Sequence, residues 1–187
     1  MRRVISGPLT PTQALREHKR ALICRRSWQC LLTCLVCTAL FTLALFSAVF
    51  GLALVQGDSM CPALQQGDFV LFFRLGKLKQ SDVVILQMDG GHINKYVKRV
   101  IGLPGDSVDI DDQGRVLING TPLDETYIYS ITRRKTITDY PLVLGKGEYF
   151  VLGDNRGDSH DSRDFGQIAN RMIDGTVVAV VRTGRKK

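Results

Sequence analysis

The chain reads as a mainly β protein behind a single N-terminal transmembrane helix. Three observations predict this. An uncharged run of 25 residues, Leu31 to Val55, lies near the N-terminus. After it, short β-branched or aromatic runs recur between Gly, Pro, Asn and Asp turns. No segment after Val55 keeps a long 3.6-residue apolar period. Short strands this closely spaced imply a β-sandwich or barrel.

The apolar run comes first in the chain. As a helix it reaches about 37 Å, enough to cross a ~30 Å hydrocarbon core with some tilt. It holds no Asp, Glu, Lys, Arg or His, and only scattered Thr and Ser interrupt it. A helix lying on a soluble core would show a polar stripe instead. The run also exceeds the ~7–15 residues of a secretory h-region. An uncleaved signal anchor is therefore expected, rather than a leader cut after Ala48 or Gly51. The chain divides into a basic tail (1–30), a membrane helix (31–55) and a β-rich domain (56–187).

Charge supports this division. The net charge is +7. Arg2, Arg3, Arg16, Lys19, Arg20, Arg25 and Arg26 against Glu17 give the tail +6, and the rest of the chain only +1. A basic arm can serve a nucleic acid. Placed before an apolar span, it follows the positive-inside rule instead: N-terminus cytoplasmic, β domain extracytoplasmic, the plasma membrane as partner and no nucleic acid. Trp28 suits an interfacial anchor.

Four of the five cysteines, Cys24, Cys30, Cys34 and Cys37, lie in or beside the apolar run. Cys34 and Cys37 form a C-x-x-C, but no second pair or histidine complements it, so they read as small apolar residues of the helix. Cys24 and Cys30 are open to palmitoylation. Cys61 is alone in the outer domain, which has no internal disulfide. No metal and no cofactor is expected.

The strands follow in order. Asp68–Phe73 and Asp82–Leu86 are short apolar runs, and Tyr96–Ile101 ends at the breaker Gly102-Leu103-Pro104-Gly105-Asp106. Ser107–Ile110 and Arg115–Ile118 flank Asp111-Asp112-Gln113-Gly114, a hairpin signal, and Asn119-Gly120 offers a second tight turn. Glu148–Leu152 and Gly175–Val181 complete the set. Thr121–Leu144 is the least patterned stretch and reads as a loop-rich insertion.

Ser59 sits four residues past Val55, in Gly57-Asp58-Ser59-Met60-Cys61-Pro62. A serine needs a base to become a nucleophile. His18 lies in the tail, His92 follows Gly90-Gly91, and His160 between Ser159 and Asp161 reads as a solvated loop residue, because adjacent side chains on an extended chain point apart. Lysine can serve when burial lowers its pKa from ~10.4 toward ~7–8. On a strand, Lys98 shares a face with Tyr96 and Val100, which makes it a candidate, although strand lysines also snorkel to solvent. Lys77, Lys79 and Lys95 read as surface charges.

Three segments in order resemble the boxes of bacterial type I signal peptidases: Ser59-Met60-Cys61-Pro62, Lys98-Arg99 with Gly102 to Asp106, and Gly153 to Arg163. The resemblance implies a membrane-anchored serine protease with Ser59 as nucleophile and Lys98 as general base. It implies a hydrogen-bonding role for Ser159 beside the base and a structural pair Asp161–Arg163. Some members carry a serine two residues before the nucleophile; here that position is Gly57, as in other members, and the oxyanion hole would rest on backbone N–H groups. Substrates would be exported preproteins with small residues at −1 and −3, held as an added strand near Tyr96 and Val97. Cys61, beside Ser59, would confer sensitivity to thiol reagents. A dedicated Ser–Lys peptidase for a conjugative pilin or organellar preproteins is the alternative. An idle anchored β module for protein binding is the alternative of another class. A self-cleaving repressor would need a DNA-binding domain where this chain has its apolar run. The oligomeric state is open.

Overall fold

A computed structural model describes residues 11–88, 95–135 and 139–182, with side chains from Arg26 onward. His18, His92 and Cys24 fall outside the described side chains. The chain forms two compact units, Met1–Ser47 and Ala48–Lys187.

The described part of the first unit is helix α1, Pro11–Val49, whose last two residues belong to the second unit. Its stretch Arg26–Val49 has a mean hydropathy of 2.3 and none of it is buried. Thr33, Thr38 and Thr42 each donate to the carbonyl four residues earlier, at 2.8 Å. The hydroxyls are thereby satisfied within the helix, as an apolar surrounding demands.

The helix is shorter at its C-terminal end than the sequence suggests. Phe50–Leu54 is strand β1, antiparallel to β2, Phe69–Phe73. The uncharged run hides this change of structure because both halves are apolar. The period betrays it: Leu52 and Leu54 are exposed, while Ala53 packs on the core and Gly51 lies under the Phe72 ring. A Cβ at Gly51 would stand 2.2 Å from that ring, so only glycine fits there.

The second unit is mainly β, as the sequence indicates. Its remaining strands are β3 (Val83–Gln87), β4 (Lys95–Gly102), β5 (Ser107–Ile110), β6 (Val116–Ile118), β7 (Thr121–Pro122), β8 (Leu142–Val143), β9 (Glu148–Leu152), β10 (Ile168–Ala169) and β11 (Ile173–Val181). A seven-stranded antiparallel sheet runs β1-β2-β11-β3-β4-β9-β10, and a four-stranded one runs β7-β6-β5-β8. The last strand thus returns to the middle of the large sheet. The expected turn at Asn119-Gly120 forms, with φ of 54° and 79°, between β6 and β7.

Three apolar clusters hold the domain. Val55, Met60, Leu64, Val70, Phe72, Ile85 and Val97 fill one side of the large sheet's first strands. Val84, Leu86, Val100, Val151 and Ile168 fill a second. Ile101, Phe150 and Leu152 pack with Val108, Ile110, Val116 and Leu144, joining the two sheets. Gly102 lets them meet, since a Cβ there would stand 2.6 Å from Val108 and 2.7 Å from Leu144.

Candidate active site

Ser59 and Lys98 come together from segments 39 residues apart, with Lys98 Nζ donating to Ser59 Oγ at 2.7 Å. Strand β4 positions the lysine. Its backbone pairs opposite Val84 of β3, between Val97 and Arg99, and the side chain is only 2% exposed. Burial lowers its pKa to about 8, and Arg163 pushes the same way. The carboxylates of Asp161, Asp154 and Asp158 work against this, Asp161 most. The desolvated amine therefore reaches its neutral form at far lower pH than a solvated lysine, although it is still mostly protonated below about 8.

The turn after β1 presents the serine. Gly57 has φ +78°, a conformation that L side chains rarely adopt. Met60, on the other side of Ser59, is buried in the core and pins the turn. Asn155 fixes the same turn from across the site: its N–H donates to the Ser59 carbonyl at 3.0 Å and its Nδ2 to the Asp58 carbonyl at 3.2 Å.

Gly153 ends β9 where two groups converge. A Cβ on it would lie 2.2 Å from Ser159 Oγ and 2.5 Å from the Ser59 carbonyl oxygen. Ser159 Oγ is buried and meets no hydrogen-bond geometry among the described residues, although it lies near enough to the Asp161 carboxylate to help lower its pKa. Asp161 caps the one-turn helix α2, Ser162–Phe165, and accepts from Gly153 N–H at 3.0 Å. Arg163 grips Asp161 through two bonds, Nε at 2.8 Å and Nη2 at 2.9 Å, with both side chains buried. Burial pushes the Asp161 carboxyl up, but Arg163 and the Gly153 N–H bring it below its ordinary value.

Beside these lie charged residues that the sequence motifs contain but to which the sequence reading gives no role. Arg99 Nε donates to Asp154 Oδ1 at 2.8 Å and Nη2 to Oδ2 at 2.6 Å, and its guanidinium lies 4.0 Å from the centre of the Tyr127 ring. Arg156 is fully buried, donates to the Gly153 carbonyl at 3.0 Å, and pairs with Glu125 and Thr132. Arg99 stands in the Lys98-Arg99 box and Arg156 in the charged stretch Asp154 to Asp164, but nothing in either motif names the partners. Glu125 and Thr132 are 31 and 24 residues from Arg156, so no local pattern could reveal them.

A groove of about 360 Å³ opens beside the pair, lined by Ala53, Leu54, Gln56, Ser59, Lys95, Tyr96 and Val97. Tyr96 and Val97 thus line it together with Ser59. Lys95 is not a free surface charge: it donates to Asp174 at 2.8 Å, half-buried. His160 is exposed, with its ring edge-on to Phe165. Cys61 Sγ lies 3.6 Å from Asp58 Oδ1, and burial, then the Asp58 charge, raise its pKa. A thiol kept protonated reacts slowly, which weakens the expectation of thiol-reagent sensitivity. Among the described residues no group of His, Cys, Asp and Glu could hold a metal ion.

The family described as Signal peptidase, peptidase S26, matches residues 27–182. Signal peptidase I of Bacillus licheniformis is 37% identical over 135 residues, covering 66% of this chain and 72% of that protein. Signal peptidase I S of Bacillus subtilis (strain 168) is 34% identical over 155 residues, 76% of this chain and 82% of its own length. Signal peptidase IB of Staphylococcus aureus (strain Mu50 / ATCC 700699) is 37% identical over 145 residues, 66% and 73% respectively. A match across nearly the whole β unit, over a buried Ser–Lys pair, places this chain in the signal peptidase family, peptidase S26.

Proposed function

We propose that Ser59 and Lys98 form the catalytic dyad with which this signal peptidase cuts exported preproteins after small residues. One observation carries the reading: a 2%-exposed amine, lowered to about 8, donates to a serine hydroxyl at 2.7 Å. Neutral Lys98 takes the Ser59 proton, and Oγ attacks the scissile carbonyl carbon. The tetrahedral intermediate collapses to an acyl-enzyme as the ammonium returns its proton to the leaving amine. Lys98 then deprotonates a water, which releases the acyl group and frees Ser59. Backbone N–H groups of the turn, that of Ser59 included, stabilise the oxyanion. Ser159 Oγ makes no hydrogen bond to Lys98 in this structure, so its support of the base is the role that the family resemblance implies, and the Asp161–Arg163 pair fixes its loop.

The groove supports binding of an extended peptide. Among the described residues β1 pairs with β2 alone, and β9 pairs with β4 only from Arg99 to Gly102, so Lys95 to Val97 keep a free edge facing away from β3. A signal peptide would add a strand there, with Tyr96 and Val97 on one side. Arg26–Val49 would span the bilayer in a ~36 Å helix, N-terminus cytoplasmic, and keep Ser59 at the extracytoplasmic surface where cleavage sites emerge. Anchoring then replaces affinity with effective concentration.

The test is cleavage of a preprotein with an Ala-x-Ala signal by the full chain in detergent. Wild type cuts after the second small residue, and Ser59→Ala and Lys98→Ala each lose at least ~10²-fold. Full activity in Lys98→Ala would sink the assignment of the base. A panel of unrelated preproteins separates a general peptidase from one with a narrow client.

A further inference from the structure

We propose that Lys135 is a positioning residue for the Ser59–Lys98 pair, its ammonium closing the Ser159–Asp164 turn across the site. The inference rests on the dyad reading above. Lys135 stands in the long connection between β7 and β8, outside every sequence box. Its Nζ donates to Asp164 Oδ1 at 2.8 Å, to Asp164 Oδ2 at 2.7 Å and to the Ser159 carbonyl at 3.1 Å. Those contacts engage the full donor capacity of an ammonium.

What Lys135 holds leads straight to the dyad. Asp164 Oδ2 also accepts the Asp161 N–H at 3.0 Å. Asp161 accepts the Gly153 N–H at 3.0 Å. Gly153 is where Ser159 Oγ and the Ser59 carbonyl approach each other. One cation thus ties the insertion to the turn that seats Ser159. His160 offers no substitute, since its Nδ1 lies 3.5 Å from Asp164 Oδ2 and its ring is 65% exposed.

Without the tether, Ser159 loses its carbonyl partner and Asp164 keeps an unpaired charge, so the turn loosens and admits water to Lys98. The charged groups facing Lys98 (Asp161, Arg163, Asp154 and Asp158) all remain in a Lys135 variant. The amine then titrates closer to its solvated value, and less of it is neutral at a given pH.

The experiment compares wild type, Lys135→Met and Lys135→Arg as full chains in detergent, by kcat, KM, the pH profile of kcat/KM and circular dichroism. Lys135→Met is expected to lose kcat about tenfold with KM within about twofold, and its acidic limb moves to higher pH. Lys135→Arg, which retains charge and donors, recovers both. A Lys135→Met enzyme with wild-type kcat overturns the proposal. So does one whose activity falls only with its folded fraction while the acidic limb stays in place. Failure of wild type to cut any preprotein would instead sink the dyad reading on which the proposal stands.

Discussion

The β unit holds two kinds of ion pair with nearly the same geometry and opposite surroundings. Arg163 meets Asp161 at 2.8 Å with side chains 1% and 0% exposed. Arg134 meets Asp109 at 2.7 Å on the small sheet with side chains 47% and 33% exposed. Distance does not separate them; desolvation does. In water the attraction is screened and offset by side-chain entropy, whereas a buried charge that loses its partner has nothing to replace it. Around Ser59 the buried carboxylates are occupied by arginines: Asp161 by Arg163, Asp154 by Arg99 and Glu125 by Arg156. This leaves Lys98 desolvated while its nearest carboxylates are already engaged. The small sheet's pairs merely decorate a surface.

The largest effect should come from breaking the buried pair. Asp161→Asn takes the carboxylate away from the buried Arg163 guanidinium and weakens the acceptor for Gly153 N–H, so a destabilisation of several kcal/mol, up to about 3–5, is expected in urea melts. Cleavage should fall by more than ~10²-fold, because the Ser159 turn depends on the same carboxylate. Electrostatics adds a signature. Asp161 raises the Lys98 pKa and Arg163 lowers it, so losing Asp161 alone moves the acidic limb of the residual activity below about 8. The shift is opposite to that expected from Lys135→Met. Restored stability in the double variant Asp161→Asn, Arg163→Leu would show that the buried guanidinium's loss of its carboxylate, and not the lost cap, carries the cost. A single variant as stable as wild type would erase the contrast between the two regions.

Removing the buried amine should have the opposite sign on stability. Lys98 titrates at about 8 when folded and at 10.5 when solvated. Between those values the unfolded chain binds more protons than the native one, so stability rises with pH. Below about 8 the full cost is present, about 3 kcal/mol at most. Lys98→Met should therefore be inactive yet more stable than wild type by about 2–3 kcal/mol at pH 7, and the gain should fade as pH climbs to 10.5. An advantage that does not change with pH would mean that packing, not charge burial, is responsible. The same titration predicts that wild-type kcat/KM rises with pH through about 8.

Much of this contrast is legible in the sequence, for reasons particular to each element. β2 to β6, β9 and β11 are visible because β-branched runs end at turns with Gly or Asn, as at Asn119-Gly120. β1 is hidden because an apolar strand directly follows an apolar helix, and only the inward Gly51 and Ala53 mark the change of period. The two-residue strands β7, β8 and β10 are too short to carry any period. Ser59 and Lys98 stand out through their neighbouring motifs, but nothing local says that a hydroxyl and an amine 39 residues apart will touch. The partners of Arg156 and Asp164 are less legible still. Glu125, Thr132 and Lys135 lie in the least patterned stretch, and tertiary packing alone makes them polar partners of the site.

The smallest effect belongs to the solvated pair, and it sharpens the comparison from the other side. Asp109→Asn removes the partner of Arg134 but leaves the arginine hydrogen-bonded to the Ile110 carbonyl and lying over the Tyr140 ring, 5.6 Å from its centroid. Water takes the place of the carboxylate at both ends, so the expected loss is under ~1 kcal/mol and shrinks further as salt is raised. Cleavage should stay within about twofold of wild type, since Asp109 touches nothing that reaches Ser59 or Lys98. Matched urea titrations of Asp109→Asn and Asp161→Asn at low and high salt would read the two environments directly. A salt-insensitive loss of several kcal/mol at Asp109 would mean that the small sheet is as electrostatically coupled as the site, and that burial is not what distinguishes them.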